Sequence, residues 1–316
     1  MYRYCFILQS VLIAFLTGCS YTDSSLITDL RCENLTGPLG IGTDKPCLSW
    51  KIISEKNGTV QKTCQIIAAS SKKLLDEKNA DLWNTGKIIS EENHLVPYQG
   101  KELASRSLCY WKVRIWDAED NPSDWSDIAF FSTGLLEESD WKAHFIGFPV
   151  EAENTLSPQL MRTFNLDDTG EKVFLYVNSL GYHEVYVNGQ KAGDYVLTPS
   201  VSQFNLRSLV LTYDISNLVK SGRNDLLIWI AQGWYSKGLP GVEGSVPLVR
   251  AQAEKLKDGR WEQIAVTDTL WKGRNSGYST IGTWRPHRFG GEYVDASMLL
   301  ARSEERRVGK ECRSRW

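Results

Sequence analysis

Glu243, Glu292 and Asp295 are the carboxylates that first invite a catalytic reading, because they fall near aromatic residues in the C-terminal half of the chain. Acid–base catalysis by paired carboxylates needs one carboxyl group held protonated by burial and a second held ionised. The spacing of these three residues supplies no such contrast, and solvated positions on loops or strand edges account for them more simply. His183 and His287 have no Ser, Cys or carboxylate at a spacing that signals nucleophilic chemistry. His183 alternates within a strand pattern and is expected at a surface or edge. Aromatic rings that keep a polar edge suit sandwich cores and also sugar-binding surfaces. Trp234 and Tyr235 follow an apolar strand pattern and precede the Gly/Pro-containing loop 236–241. An aromatic ring there can stack on the C–H face of a sugar while polar groups take its hydroxyls. Asn188 is a third candidate for sugar binding, with service in the Asn188-Gly189 turn as its competing role. Trp234 competes in the same way between binding sugar and plugging the end of a sandwich. Trp284, Arg285, His287 and Arg288 mix aromatic and cationic groups. They suit an interface with another domain, or an acid group on a substrate. No metal ligand is assigned, since the chain has no CxxC and no His-rich spacing, and Asp194, Asp214 and Asp225 are not clustered as in a calcium loop; no catalytic residue is assigned either.

Strands must position these side chains. Residues 47–52 alternate in character, and Asn57-Gly58 then predicts a hairpin turn with residues 61–69 as the partner strand. Residues 82–87 read as a short strand and turn. Residues 110–116 (YWKVRIW) alternate strictly, with Trp111, Val113 and Ile115 on one face and Tyr110, Lys112, Arg114 and Trp116 on the other. Residues 129–131 supply a last strand. A first domain over residues 27–134 and a linker over 135–141 follow from this spacing. A second domain over 142–300 begins its clear alternation at 172–177 and 183–187, turns at Asn188-Gly189, and has one helical turn at 217–220. Residues 225–231 read as a buried strand, and 261–266 with 293–298 complete the domain. The predicted fold class is all-β: two tandem antiparallel β-sandwiches, the first fibronectin type III or immunoglobulin-like and the second jelly-roll-like. No long amphipathic helix follows the leader, so neither a helical toroid nor an α/β core is expected in this chain.

A chain of 316 residues accommodates two such domains. Its net charge of −2 offers no concentrated basic face for nucleic acid. Residues 1–19 read as an export leader: Arg3 precedes an apolar run at 11–16, far short of the ~20 residues that span a bilayer. Leu16-Thr17-Gly18-Cys19 is similar to a bacterial lipobox, which makes Cys19 a lipidation site, residues 20–26 a polar tether and a lipid anchor to the membrane the expected attachment. A plain secretory leader with Cys19 placed by chance is the alternative. Of the seven cysteines, Cys32, Cys47, Cys64 and Cys109 lie in the first domain. They allow three disulfide pairings, or free buried thiols. Residues 303–316 (SEERRVGKECRSRW) are charge-dense, with the periodicity of no regular element, and read as a non-native tail of vector or adapter origin; a genuine basic tail is the alternative.

Taken in order, residues 38–52, 82–90, 110–117 and 125–136 resemble the N-terminal fibronectin-like domain of bacterial α-L-rhamnosidases, glycoside hydrolase family 78. Residues 180–199, 211–216, 233–235 and 289–296 resemble the β-sandwich that follows it in that family. The resemblance covers about residues 27–298. It implies the accessory part of a surface-anchored enzyme that removes terminal α-L-rhamnose from plant polysaccharides or glycosides. Rhamnose-containing glycans and the family's own catalytic α/α barrel are the implied partners, the barrel lying beyond residue 298. The resemblance also raises calcium as a cofactor of the second sandwich. A stand-alone surface carbohydrate-binding lipoprotein is the alternative function.

Overall fold

Alternating apolar and polar residues build most of this molecule, because a strand buries every second side chain when one sheet face is covered. The computed structural model describes residues 25–148, 157–235, 240–242, 246–281, 291–300, 306–307 and 309–310. The leader with Cys19, Glu243, and the group Trp284, Arg285, His287 and Arg288 lie outside the described residues. No described helix is long and apolar enough to cross a membrane.

The first domain contains β1 (Leu26–Cys32), β2 (Cys47–Ile53), β3 (Thr63–Ala69), β4 (Trp83–Asn84), β5 (Ile88–Ile89), β6 (Val96–Pro97), β7 (Leu108–Trp116) and β8 (Ala129–Ser132). They form a sheet β1-β2-β6 and a sheet β4-β3-β7-β8, with β5 also on β3. As the alternation of β7 predicts, Trp111, Val113 and Ile115 enter the core, where they join Leu48, Trp50, Ile66 and Phe131. On the opposite face Arg114 lies 4.9 Å from the Trp116 ring centre and 4.7 Å from that of Trp125. The Asn57-Gly58 turn is not a hairpin turn. Both sides of β2 are occupied by β1 and β6, so the turn carries the chain to the other sheet, where β3 pairs with β4, β5 and β7. Cys32, Cys47, Cys64 and Cys109 are free thiols. Burial pushes Cys64 up to about 11 and Cys32 up to about 12, which suppresses the reactive thiolate.

The second domain contains β9 (Ile146–Gly147), β10 (Pro158–Leu166), β11 (Lys172–Leu180), β12 (Tyr182–Val187), β13 (Gln190–Lys191), β14 (Val210–Asp214), β15 (Gly222–Ala231), β16 (Leu248–Lys257), β17 (Arg260–Val266) and β18 (Lys272–Asn275). After these come β19 (Tyr278–Ile281), β20 (Gly291–Val294), α1 (Ala296–Leu300), β21 (Arg306–Arg307) and β22 (Gly309–Lys310). One sheet runs β13-β12-β15-β10-β18-β21 and the other β14-β11-β16-β9-β22, with β17 on β16. Leu160, Leu175, Val185, Ile228, Ala251 and Trp271 share the core. Three expectations change. Strand β15 is buried on one face only, with Leu226, Ile228 and Ile230 inward and Leu227 and Trp229 half-buried. Residues 293–298 do not complete the sandwich: β20 pairs with β19 in a separate sheet. The strand then stops because the Asp295 carboxylate accepts the backbone N–H of Ser297 at 3.0 Å, which starts α1. The charged segment after residue 302 also carries regular elements, β21 against β18 and β22 against β9, where those strands offer open edges.

Strand β11 is buried on both faces. Val173, Leu175 and Val177 enter the sandwich core, while Phe174 and Tyr176 are fully buried on the outer face. The first domain approaches there. A Cβ added to Gly40 would sit 2.1 Å from Thr212 Oγ1, so only glycine permits this contact. Arg106, from the first domain, donates through Nε and Nη2 to Glu254 of β16, the second bond at 2.9 Å, and through Nη1 to Asp140 of the linker at 2.7 Å. Gln252 Nε2 donates to Glu254 at 2.6 Å and to the Asp140 carbonyl at 3.0 Å. Trp261 Nε1 closes the seam on the Arg106 carbonyl at 3.1 Å.

Removing one member of a buried, hydrogen-bonded ion pair strands the other charge, at a cost of about 3–5 kcal/mol. We therefore expect Arg106→Met and Glu254→Met each to lower stability by roughly that amount, and the double variant to lose clearly less than the sum. Urea unfolding of the four proteins measures the coupling, and simple additivity would show that the two residues act independently.

Candidate functional site at the end of the second sandwich

Strand β15 delivers the two aromatic candidates, and a tight turn separates them. Tyr235 N–H donates to the Gln232 carbonyl at 2.9 Å. Adjacent side chains in that turn point opposite ways. Trp234 is 44% exposed, whereas Tyr235 is 8% exposed and packs with Leu180, Phe204 and Val242. Its ring meets that of Phe204 edge-on, with centroids 5.3 Å apart. Tyr235 is thus buried as a packing residue.

Asn188 is not part of this site either. Tyr182, at the start of β12, pairs with Ala231 beside Trp234, while Asn188 follows the last residue of β12 at the far end. Its amide makes three hydrogen bonds: Nδ2 donates to the Leu218 carbonyl at 2.8 Å and to Asn224 Oδ1 at 2.9 Å, and Oδ1 accepts from Asp225 N–H at 3.0 Å. Its φ of 52° and the 81° of Gly189 are the two left-handed conformations that a tight hairpin demands. Around Trp234 a cleft of about 10 Å³ is lined by Gly181, Tyr182, Pro199, Val201 and Phe204. That is room for about one water molecule, whereas ligand pockets measure ~300 Å³ or more.

His183 is neither a surface nor an edge residue. It is 2% exposed and shares the inward face of β12 with Val185 and Val187. The alternation itself contains that signal, since residues 183, 185 and 187 must point the same way. His183 Nδ1 lies 2.6 Å from Ser179 Oγ, and Nε2 lies 2.8 Å from the Tyr213 hydroxyl. Ser179 gives its own proton to the Gly181 carbonyl at 3.0 Å. Consistent donors and acceptors then place the imidazole proton on Nδ1, with Tyr213 O–H donating to Nε2. Both ring nitrogens are satisfied in the neutral form, and burial holds the His183 pKa at about 4.

Of the candidate carboxylates, the described Glu292 and Asp295 show no contrast of a buried acid with an ionised base. Glu292 is exposed on β20, and hydrogen bonds from the Ser297 hydroxyl and backbone keep Asp295 below the usual carboxylate range. Asp214 holds Lys172 at 3.0 Å, and Asp225 accepts from Thr163 Oγ1 at 2.6 Å. Among the described residues no three His, Cys, Asp or Glu side chains group to hold a metal ion.

Residues 27–137 match the family described as Rha78A-like, N-terminal immunoglobulin domain, and residues 169–308 match the Alpha-L-rhamnosidase N-terminal domain. Over 305 residues the chain is 31% identical to an α-L-rhamnosidase of Formosa agariphila, spanning 90% of this chain and 32% of that protein. The chain is homologous to the N-terminal part of family 78 α-L-rhamnosidases. An α-L-rhamnosidase of Streptomyces avermitilis is 37% identical over 260 residues, 75% of this chain and 25% of its own length. The solved α-L-rhamnosidase from Dictyoglumus thermophilum superposes with a TM-score of 0.72 at 29% identity, over 81% of this chain and 31% of that one. The chain thus spans about a quarter to a third of the length of these rhamnosidases. The second match runs to residue 308, into the charged segment after 302.

The depressed His183 pKa sets a pH dependence. The unfolded chain takes up a proton near pH 6.5 and the folded chain only near 4. Stability is therefore full above about pH 6.5 and falls as pH drops toward 4, by roughly 3 kcal/mol from this residue. His183→Gln should flatten that slope by close to one proton while lowering stability at pH 7. Urea unfolding at a series of pH values measures it, and equal slopes in the two proteins would rule His183 out as the source.

Proposed function

We propose that the two sandwiches are the accessory N-terminal unit of an exported α-L-rhamnosidase, the second sandwich being jelly-roll-like, with Cys19 as the site of a lipid anchor. The observation that carries this is the ordered pair of N-terminal family matches on two sandwiches joined at one buried seam. The parent activity would be hydrolysis of terminal α-L-rhamnose from plant polysaccharides or glycosides. The chain on its own is inactive in this proposal. Glu292 is exposed on β20, hydrogen bonds from Ser297 hold Asp295 below the usual carboxylate range, and the buried carboxylate of Glu254 is bound to Arg106. Inverting hydrolysis needs a protonated acid and an ionised base ~6.5–9.5 Å apart.

A second reading, a surface carbohydrate-binding lipoprotein, is favoured by one observation, the exposed Trp234 beside its cleft. The size of that cleft and the burial of Tyr235 weigh against it.

The purified chain is expected to release no product from an aryl α-L-rhamnoside, as followed by absorbance, while the polypeptide extended through its downstream reading frame is expected to do so. Turnover by the chain alone would overturn the accessory assignment. Calorimetric titration with L-rhamnose, with and without calcium, tests the second reading: it requires binding that Trp234→Ala abolishes with the fold intact.

A further inference from the structure

Exposed loops on a sandwich are ordinarily polar. The loop between β13 and β14 is not. Tyr195, Val196, Leu197, Val201 and Leu206 are all exposed, Val196 and Leu197 at 74% each. Single exposed apolar residues are common on protein surfaces, but a cluster marks a contact site.

The loop is also held in place with these side chains outward. His183 N–H donates to the Thr198 carbonyl at 2.8 Å, and the Tyr195 ring stands edge-on to Tyr213 at 6.1 Å. Farther along, Leu206 N–H and Arg207 N–H both reach the Gln203 carbonyl, at 2.8 and 2.9 Å, and Ser202 Oγ donates to the Arg207 carbonyl at 2.9 Å. The scaffold therefore presents these aliphatic groups to solvent.

The same end of the sandwich carries a second apolar element. Pairing of Pro158 with Asn275 and of Gln159 with Trp229 brings the end of β18 beside the end of β15. From there the hairpin β19–β20 begins, anchored by Tyr278, whose ring centre is 5.1 Å from that of Trp229. In the hairpin, Tyr278 shares a face with its partner Val294, while Ile281 and Tyr293 occupy the opposite face and are exposed.

We propose that this apolar end, formed by the 195–206 loop, Trp234 and the β19–β20 hairpin, is the seat of the rest of the polypeptide in the full-length enzyme. The inference rests on the accessory-unit reading above. Two observations select this occupant over a glycan. Of the loop's exposed apolar side chains, Val196, Leu197, Val201 and Leu206 are aliphatic and only Tyr195 is aromatic, which suits a protein surface, whereas sugars require aromatic faces with free polar side chains. The relatives are three to four times as long as their matched region, and the matched families are N-terminal domains, so a large covalently attached partner is available to follow them.

Hydrogen exchange followed by mass spectrometry tests this on the present chain and on the polypeptide extended through its downstream reading frame. Peptides spanning residues 195–206 should exchange at least about tenfold more slowly in the extended protein. Leu197→Asp with Leu206→Asp, both at exposed positions, should remove that protection and leave exchange of β11 and β16 unchanged. Equal exchange of the loop in the two wild-type proteins would overturn the proposal. So would protection of the loop in the present chain on adding L-rhamnose, which would make it a sugar site. Rhamnosidase turnover, measured on the same extended protein, separates the two readings. Turnover without loop protection sinks the docking surface and leaves the accessory unit standing. Protection without turnover does the reverse.

Discussion

The guanidinium of Arg106 fixes how the two sandwiches meet. It is largely buried and has carboxylates on both sides, Glu254 from the second sandwich and Asp140 from the linker. An apolar seam tolerates sliding, because dispersion and burial are weakly directional. A planar donor fork whose acceptors come from separate elements does not. The linker also pins itself at Arg250, whose guanidinium bonds Glu138 at 2.6 Å and lies 4.3 Å from the Trp141 ring centre. Everything placed by β11 and β16, including the far end with Trp234, inherits its orientation from this seam.

Period-two patterning made much of the fold legible in the sequence. It located β7 and its inward residues, and Asn188-Gly189 located the turn after β12. It failed wherever a neighbour outside the strand decided the outcome. The face of β11 bearing Phe174 and Tyr176 is covered by contacts that local sequence cannot encode. Arg106 stands in a loop with a φ of 67°, flanked by serines, and has no periodic signal at all. The Asn57-Gly58 turn has the chemistry of a hairpin, but β2 already had two partners.

The candidate site shows the same division. Strand β15 and the aromatic pair at its end were visible, but which ring faced solvent depended on a single turn bond to Gln232. His183 was misplaced although its own register with Val185 and Val187 was readable. Histidine is usually polar and exposed, and that general preference prevailed over the geometry of this strand. Here two hydroxyls, Ser179 and Tyr213, make a neutral buried imidazole tolerable.

Double burial of β11 also bears on how such proteins diversify. A sandwich whose outer sheet face is solvated can be shuffled between genes as an independent cassette. In the second sandwich, cutting at the linker would leave the Glu254 carboxylate without its Arg106 partner and Trp261 Nε1 without the Arg106 carbonyl. A transplant that preserves this seam must therefore carry both sandwiches with their linker, Arg106 and Glu254 included.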